Sequence, residues 1–185
     1  IIPQQIIDKY RYPANLAEAE RYPNIDWQET LFKDYAMAYN ANIGIRGGTK
    51  FVKYFANIDF QNEGDLFRDV QNDRGYEPGY DFNRLNFRSN LDFQLTSTTK
   101  LSTNLGGTYA LRKSPWGGGN DYGYWIAAYN NAPDAFVPRY SDGFWGYHNP
   151  NRQAALNSVR NLAISGVEYT TTSRLSTNFT LEQDL

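Results

Sequence analysis

The chain contains no cysteine, a single histidine and a single methionine. The missing thiols exclude thiol catalysis, cysteine-ligated zinc and a disulfide framework. One histidine, His148, without a second or any cysteine, does not make a transition-metal site. Long apolar runs are also missing: none approaches the roughly 20 residues that a membrane-spanning helix needs. Charge of one sign is not in excess, since 18 basic and 20 acidic residues leave a net charge of -2. That balance argues against a nucleic-acid partner gripped through its phosphates. The opening Ile1-Ile2-Pro3-Gln4-Gln5 lacks the basic start and apolar centre of a signal peptide. The chain is therefore expected to begin after processing or to be a piece of something longer.

What the chain does have is aromatics, 16% of its 185 residues, and a polar–apolar alternation of period two. Along 83–95, Arg84, Asn86, Arg88, Asn90, Asp92 and Gln94 alternate with Leu85, Phe87, Leu91, Phe93 and Leu95. Such a period is the pleat of a β-strand, with successive side chains on opposite faces. Four other stretches repeat it, predicting strands at about 35–46, 51–61, 83–95, 100–111 and 167–185. Gly47-Gly48-Thr49-Lys50 reads as a tight turn, its glycines able to take a positive φ, and Thr96–Thr99 as a second short turn. The connections 62–82 and 112–166 are long, the second far beyond the usual ~4–6 residues.

Residues 1–34 read as irregular chain with short helices, including one near Trp27–Lys33 capped by Asp26. A second capped helix is predicted at Gln153–Arg160, after Asn149-Pro150. An apolar face beside a charged, amide-rich face, with connections alternating short and long, is the pattern of a transmembrane barrel. Five strands do not close a bacterial barrel. The predicted fold class is thus all-β: an antiparallel transmembrane β-barrel fragment of about five strands, with long extracellular loops carrying short helices. Residues 1–34 form an extracellular loop segment and 35–185 a partial β-barrel, its short turns periplasmic.

Several pieces resemble a family. They are Tyr22-Pro23-Asn24-Ile25-Asp26-Trp27 leading to Leu31-Phe32-Lys33, Tyr39-Asn40 ahead of Gly47-Gly48-Thr49, Lys53-Tyr54-Phe55 and Glu63-Gly64. Further along come Tyr80-Asp81-Phe82-Asn83-Arg84-Leu85-Asn86-Phe87-Arg88-Ser89-Asn90-Leu91-Asp92 and the closing Leu181-Glu182-Gln183-Asp184-Leu185. Their ordered set resembles the SusC/RagA class of TonB-dependent outer-membrane transporters of Bacteroidetes. The resemblance implies part of an active importer of glycans or peptides in the outer membrane of a Gram-negative cell. It implies as partners a SusD-like surface lipoprotein lid, the TonB complex through parts absent from this chain, an oligosaccharide or peptide cargo, and outer-membrane lipid. Two alternatives stand beside it: a soluble carbohydrate-binding β-sandwich module, for which the aromatics speak, and a passive outer-membrane porin.

Candidate contacts follow from residue type. Trp116, Tyr122, Tyr124, Trp125, Tyr140, Trp145 and Tyr147 crowd one connection, where aromatic faces stack on sugars, meet a protein lid or build a local core. Arg84, Arg88, Asp92, Arg174 and Glu182 share the polar strand face and are expected to line a lumen or meet a plug domain. They can equally pair across strands. The acidic residues Glu63, Asp65, Asp69 and Asp73 lack the ligand spacing of a calcium loop and read as solvated charge. Trp116-Gly117-Gly118-Gly119-Asn120 lacks the Lys-Ser/Thr of a phosphate loop and reads as a bend. No serine–histidine–acid set and no carboxylate pair at a cleft is present, so neither an enzyme nor a cofactor or metal is expected.

Overall fold

In a computed structural model, residues 2–70, 72, 74–116, 122–147 and 156–184 are described. The chain divides into two compact units, one of short helices and one of strands.

The strand unit is made of residues 36–65, 80–113 and 169–185. Its five strands are β1 (Ala38–Gly48), β2 (Val52–Glu63), β3 (Asp81–Gln94), β4 (Thr99–Pro115) and β5 (Val167–Gln183). They form one sheet in the order β1-β2-β3-β4-β5, with the first three pairings antiparallel. Ile43 stands opposite Ile58, Ile58 opposite Phe87, and Phe87 opposite Gly107, so directly paired residues carry the apolar face across the sheet. The β4–β5 ladder is bracketed at its two ends by Trp116 N donating to Gly166 O (2.7 Å) and Asp184 N donating to Thr98 O (2.9 Å).

Two expectations about the turns differ from what is found. Gly47 and Gly48 belong to β1, and neither takes a positive φ. What needs a glycine at 47 is close approach: a Cβ there would lie 2.5 Å from Tyr54 Oη. The turn itself is held by Thr49, whose N donates to Val52 O (2.7 Å) and whose Oγ1 accepts from Phe51 N (3.1 Å).

The transmembrane barrel is corrected by the sheet itself. Closing a barrel requires the first and last strands to hydrogen-bond to one another. Here β1 and β5 are the two edges of an open sheet, so no strand wall encloses a lumen. The SusC/RagA-type importer, the porin, the outer-membrane location and the periplasmic and extracellular sides given to the turns all fall with that closure. A plug, a SusD-like lid, TonB, cargo in transit and outer-membrane lipid have no structural basis in an open sheet. No described helix is long and apolar enough to cross a membrane. The soluble alternative fits this open sheet better than the barrel does, although a sandwich has two sheets and the described strands form one. The apolar face of this sheet is exposed, with Ile43 at 74% and Leu175 at 69% of full accessibility.

The helical unit comprises residues 1–35, 66–79 and 114–168. It contains α1 (Gln4–Arg11), α2 (Leu16–Arg21), α3 (Trp27–Leu31), α4 (Tyr122–Asn130) and α5 (Ser158–Ile164). Each short helix is held by side-chain caps or tertiary packing, as segments this short are unstable alone. Asn15 caps α2 by accepting from Glu18 N (2.9 Å), while the Glu18 carboxylate accepts from Ala14 N (2.8 Å), a reciprocal arrangement close to a capping box. Glu18 also pairs with Lys9 Nζ at 3.0 Å. Asp26 caps α3 by accepting from Gln28 N (2.9 Å) and Glu29 N (3.0 Å).

That cap aims Trp27 and Leu31 inward, where they are buried with Ala127 and Ala128 of α4 and with Phe136. Trp27 meets the Phe136 ring edge-on at 5.0 Å and donates Nε1–H to Ala132 O (3.2 Å). Beside it Phe32 and Phe67 form an antiparallel bridge with their rings 5.2 Å apart. Asn157 ties the C-terminal part of the unit together. Its Oδ1 accepts from Arg160 N (3.0 Å) to cap α5, and its Nδ2 donates to Pro138 O (2.7 Å) and Gly146 O (2.9 Å). The predicted helix at Gln153–Arg160 overlaps α5 only at its end; residues 148–155, with His148, lie outside the described residues.

Candidate ligand groove on the polar face of the sheet

The face opposite the exposed apolar one is covered largely by amides, hydroxyls and charges that bond to one another across strands. Asn42 and Asn57 exchange side-chain hydrogen bonds between β1 and β2 (3.2 and 2.9 Å). Asn86 Nδ2 donates to Asp59 Oδ1 (3.0 Å) and Thr108 Oγ1 donates to Asn86 Oδ1 (2.9 Å), a chain running from β2 to β4. Arg84 donates to Gln61. Such ladders hold side chains in fixed directions and leave few groups free for a ligand.

This chain of hydrogen bonds ends at Thr108 of β4. Gly106, facing Arg88 across the β3–β4 pair, puts no side chain on this face, and a cavity of about 400 Å³ opens there. Amides from Asn86, Asn90, Asn104 and Asn178 line it, with the hydroxyls of Thr108 and Ser176 and the guanidinium side chains of Arg88 and Arg174. No carboxylate is among the described residues that line it. The groove thus carries two positive charges in a chain whose net charge is -2. Among the described residues neither Arg88 nor Arg174 has a salt-bridge partner. Asn90 Oδ1 is out of contact with solvent and accepts no hydrogen bond.

Gly107, the next residue, shows why the depression is one-sided. Its side-chain direction is the apolar face, where the Phe87 ring covers it so closely that a Cβ would lie 2.3 Å from Phe87 Cε1. Phe87 fills the glycine gap on that side, whereas a Cβ on Gly106 would find only Phe87 O, at 3.7 Å.

The polar-face candidates read from the sequence therefore separate. Arg88 and Arg174 come together at the groove. Arg84 is engaged with Gln61 and does not line it. Asp92 lies toward the β1–β2 turn, in a smaller hollow of about 100 Å³ with Lys53 and Lys100. Glu182 sits 3.9 Å from Lys100 Nζ, both partners largely exposed. The lumen or plug role given to these five residues is corrected, since the open sheet has neither.

The aromatic candidates belong to the helical unit and do not converge on one cavity. Trp125 stacks on Phe32, with ring centroids 4.5 Å apart and planes at 26°, and Tyr124 meets Phe67 edge-on at 5.6 Å. Both rings are used in a local aromatic core. Trp145 lies under the Arg139 guanidinium, 5.0 Å from the ring centre, in the bridge that pairs these two residues. Tyr140 is half-buried in the same turn, its N donating to Phe144 O (2.8 Å). Trp116 and Tyr147 are exposed at 70% and 74%. Only the backbone of Tyr122 is described, at the start of α4, while Asp73 and the 117–121 bend lie outside the described residues. No group of acidic or histidine side chains suited to a metal ion occurs among the described residues.

Sequence reasoning missed the groove, though it placed most of its polar residues on the right face. The signal was a glycine at a polar-face position of a strand otherwise rich in amides. Glycine inside a strand marks close approach of another backbone or a ligand.

Comparison with known proteins adds no family: no protein-family model and no curated protein matches the chain.

Proposed function

We propose that this chain is a non-enzymatic glycan-binding module whose ligand lies on the polar sheet face over Gly106. The observation that carries the reading is the groove of about 400 Å³ lined by four asparagines, two hydroxyls and two arginines, together with Phe87, Leu105, Gly106 and Gly107. Sugars present hydroxyls that both donate and accept, and amide side chains answer both in a fixed plane. The volume falls within the usual range of ligand sites, ~300–1,000 Å³.

Binding without turnover is the reading because the described lining residues include no carboxylate, histidine or lysine. Those are the side chains that most often move a proton in glycoside chemistry or in acid–base catalysis generally.

The test is a titration of the isotope-labelled chain with short oligosaccharides, followed by amide and side-chain NMR shifts. Saturable shifts centred on Asn90, Asn104, Gly106 and Asn178 are expected. Absence of saturable shifts at millimolar sugar, or shifts confined to other residues, refutes the reading.

A further inference from the structure

Resting on the glycan-binding reading, we infer that the groove selects acidic sugars, with a uronic-acid carboxylate held between Arg88 and Arg174. Four other cations of this chain have a side-chain partner: Lys9 with Glu18, Lys33 with Asp69, Lys100 with Glu182, and Arg84 with Gln61. Arg88 and Arg174 have no such acidic neighbour among the described residues, and none lines the groove they share. Two like charges beside one cavity raise the local potential felt by an anion, and because both side chains are exposed that attraction weakens with salt.

Their spacing suits one. Arg88 is on β3 and Arg174 on β5, two strands apart. At about 4.8 Å per strand their backbones are roughly 10 Å apart. Each guanidinium spans part of that gap. Gly106 on β4, between them, leaves the space over the sheet unfilled. The arginine fork matches a carboxylate with two parallel N–H···O bonds, which a lysine does not reproduce. Around that anchor Asn90 and Asn104 meet ring hydroxyls, so the recognised unit is a sugar that carries the anion and not a free anion alone.

The experiment compares trigalacturonate, neutral galactotriose and inorganic phosphate by titration calorimetry against the full chain. Arg88→Gln, Arg174→Gln and Arg88→Lys are tested alongside. The expected result is at least tenfold tighter binding of trigalacturonate than of galactotriose, with phosphate weaker than either. Each Gln variant loses about tenfold toward the acidic sugar and little toward the neutral one, and Arg88→Lys falls between. Equal affinity for the two sugars overturns the acidic selection and leaves glycan binding standing. Phosphate bound as tightly as trigalacturonate, with galactotriose unbound, or no sugar bound at all, overturns both. Loss of acidic-sugar preference in none of the variants overturns the assignment to these arginines.

Discussion

Replacing Gly106 by valine is expected to remove ligand binding while leaving the sheet as stable as before or slightly more so. Neither Gly106 nor Gly107 takes a positive φ, which is confined among the described glycines to Gly75, Gly79 and Gly143. The backbone at both sites therefore accepts a side chain, and what decides the outcome is space. At Gly106 a Cβ meets nothing nearer than Phe87 O at 3.7 Å, an ordinary contact. A strand glycine costs roughly 0.5–1 kcal/mol relative to alanine, and a branched side chain suits a pleated strand. The gain is about 1 kcal/mol, a rise in Tm of roughly 2–4 °C for a chain of this length. The same methyl groups enter the groove beside Arg88. Steric crowding of about 1–3 kcal/mol in the bound state weakens the ligand by roughly 10- to 100-fold. Gly107→Val is the control, one residue along and on the opposite face. Its Cβ would lie 2.3 and 2.6 Å from Phe87 Cε1 and Cζ, and 3.2 Å from Arg174 O. The Phe87 ring must swing away from its cover, at a cost of about 1–2 kcal/mol. Thermal unfolding by circular dichroism and the sugar titration read the two effects. If Gly106→Val melts below Gly107→Val, or binds sugar like the parent chain, the one-sided geometry argued here is wrong.

Other substitutions probe the helical unit. Gly146→Ala places a Cβ 1.7 Å from Val137 O, so backbone must move, and a loss of about 3–4 kcal/mol in chemical denaturation is expected. Asn157→Ala strips the α5 cap and leaves Pro138 O and Gly146 O without that donor, a loss of about 2–4 kcal/mol. Because both changes act on Gly146, the double variant should lose less than the two single losses added together. The Lys9–Glu18 pair gives a pH signature, read by NMR titration of both side chains. The Ala14 N–H and then Lys9 hold the Glu18 carboxyl below its usual range, so its contribution is present above ordinary carboxylate values and is lost as pH falls through the lowered pKa. Hydrogen bonding to Glu18 and its charge raise Lys9, whose contribution is present below ordinary lysine values and is lost as pH rises past the raised one. Glu18→Gln should return Lys9 toward its ordinary value, and an unchanged Lys9 titration would contradict the pairing.

Strand periodicity was readable because period-two polarity is a local property: Leu85, Phe87 and Leu91 declare a shared face without reference to any other strand. Whether the sheet closes is not local. It depends on whether β1 and β5 meet, and alternation along either strand is the same in both cases. The charged face was therefore assigned to a lumen that the open order of strands does not form. Helix α4 was equally hidden, since Tyr122–Asn130 carries a glycine, three tyrosines and a tryptophan with little amphipathic contrast. Its stability comes from packing against α3 and α5, which no window of nine residues contains. The cap of α3 was readable, because Asp26 and Glu29 stand at the spacing the cap requires. The glycine turn was misread for the reverse reason: Gly47 answers to the Tyr54 ring on the neighbouring strand.

The same distinction locates the functional argument. Alternation says which residues share a face, and it is indifferent to what that face meets. Partnering among the polar groups is what separates scaffold from site. Asp59, Asn86 and Thr108 bond to one another, as do Asn42 and Asn57, and Arg84 donates to Gln61 while its Nε has no partner. A wall that only needed to stay wet would continue that pattern to β5. Instead, Arg88 and Arg174 have no salt-bridge partner among the described residues, and both line the cavity above Gly106, the glycine that leaves this part of the face bare. Two arginines without a carboxylate between them and a strand position without a side chain meet at this one cavity. The proposed ligand supplies an anion for the first and a ring to fill the second.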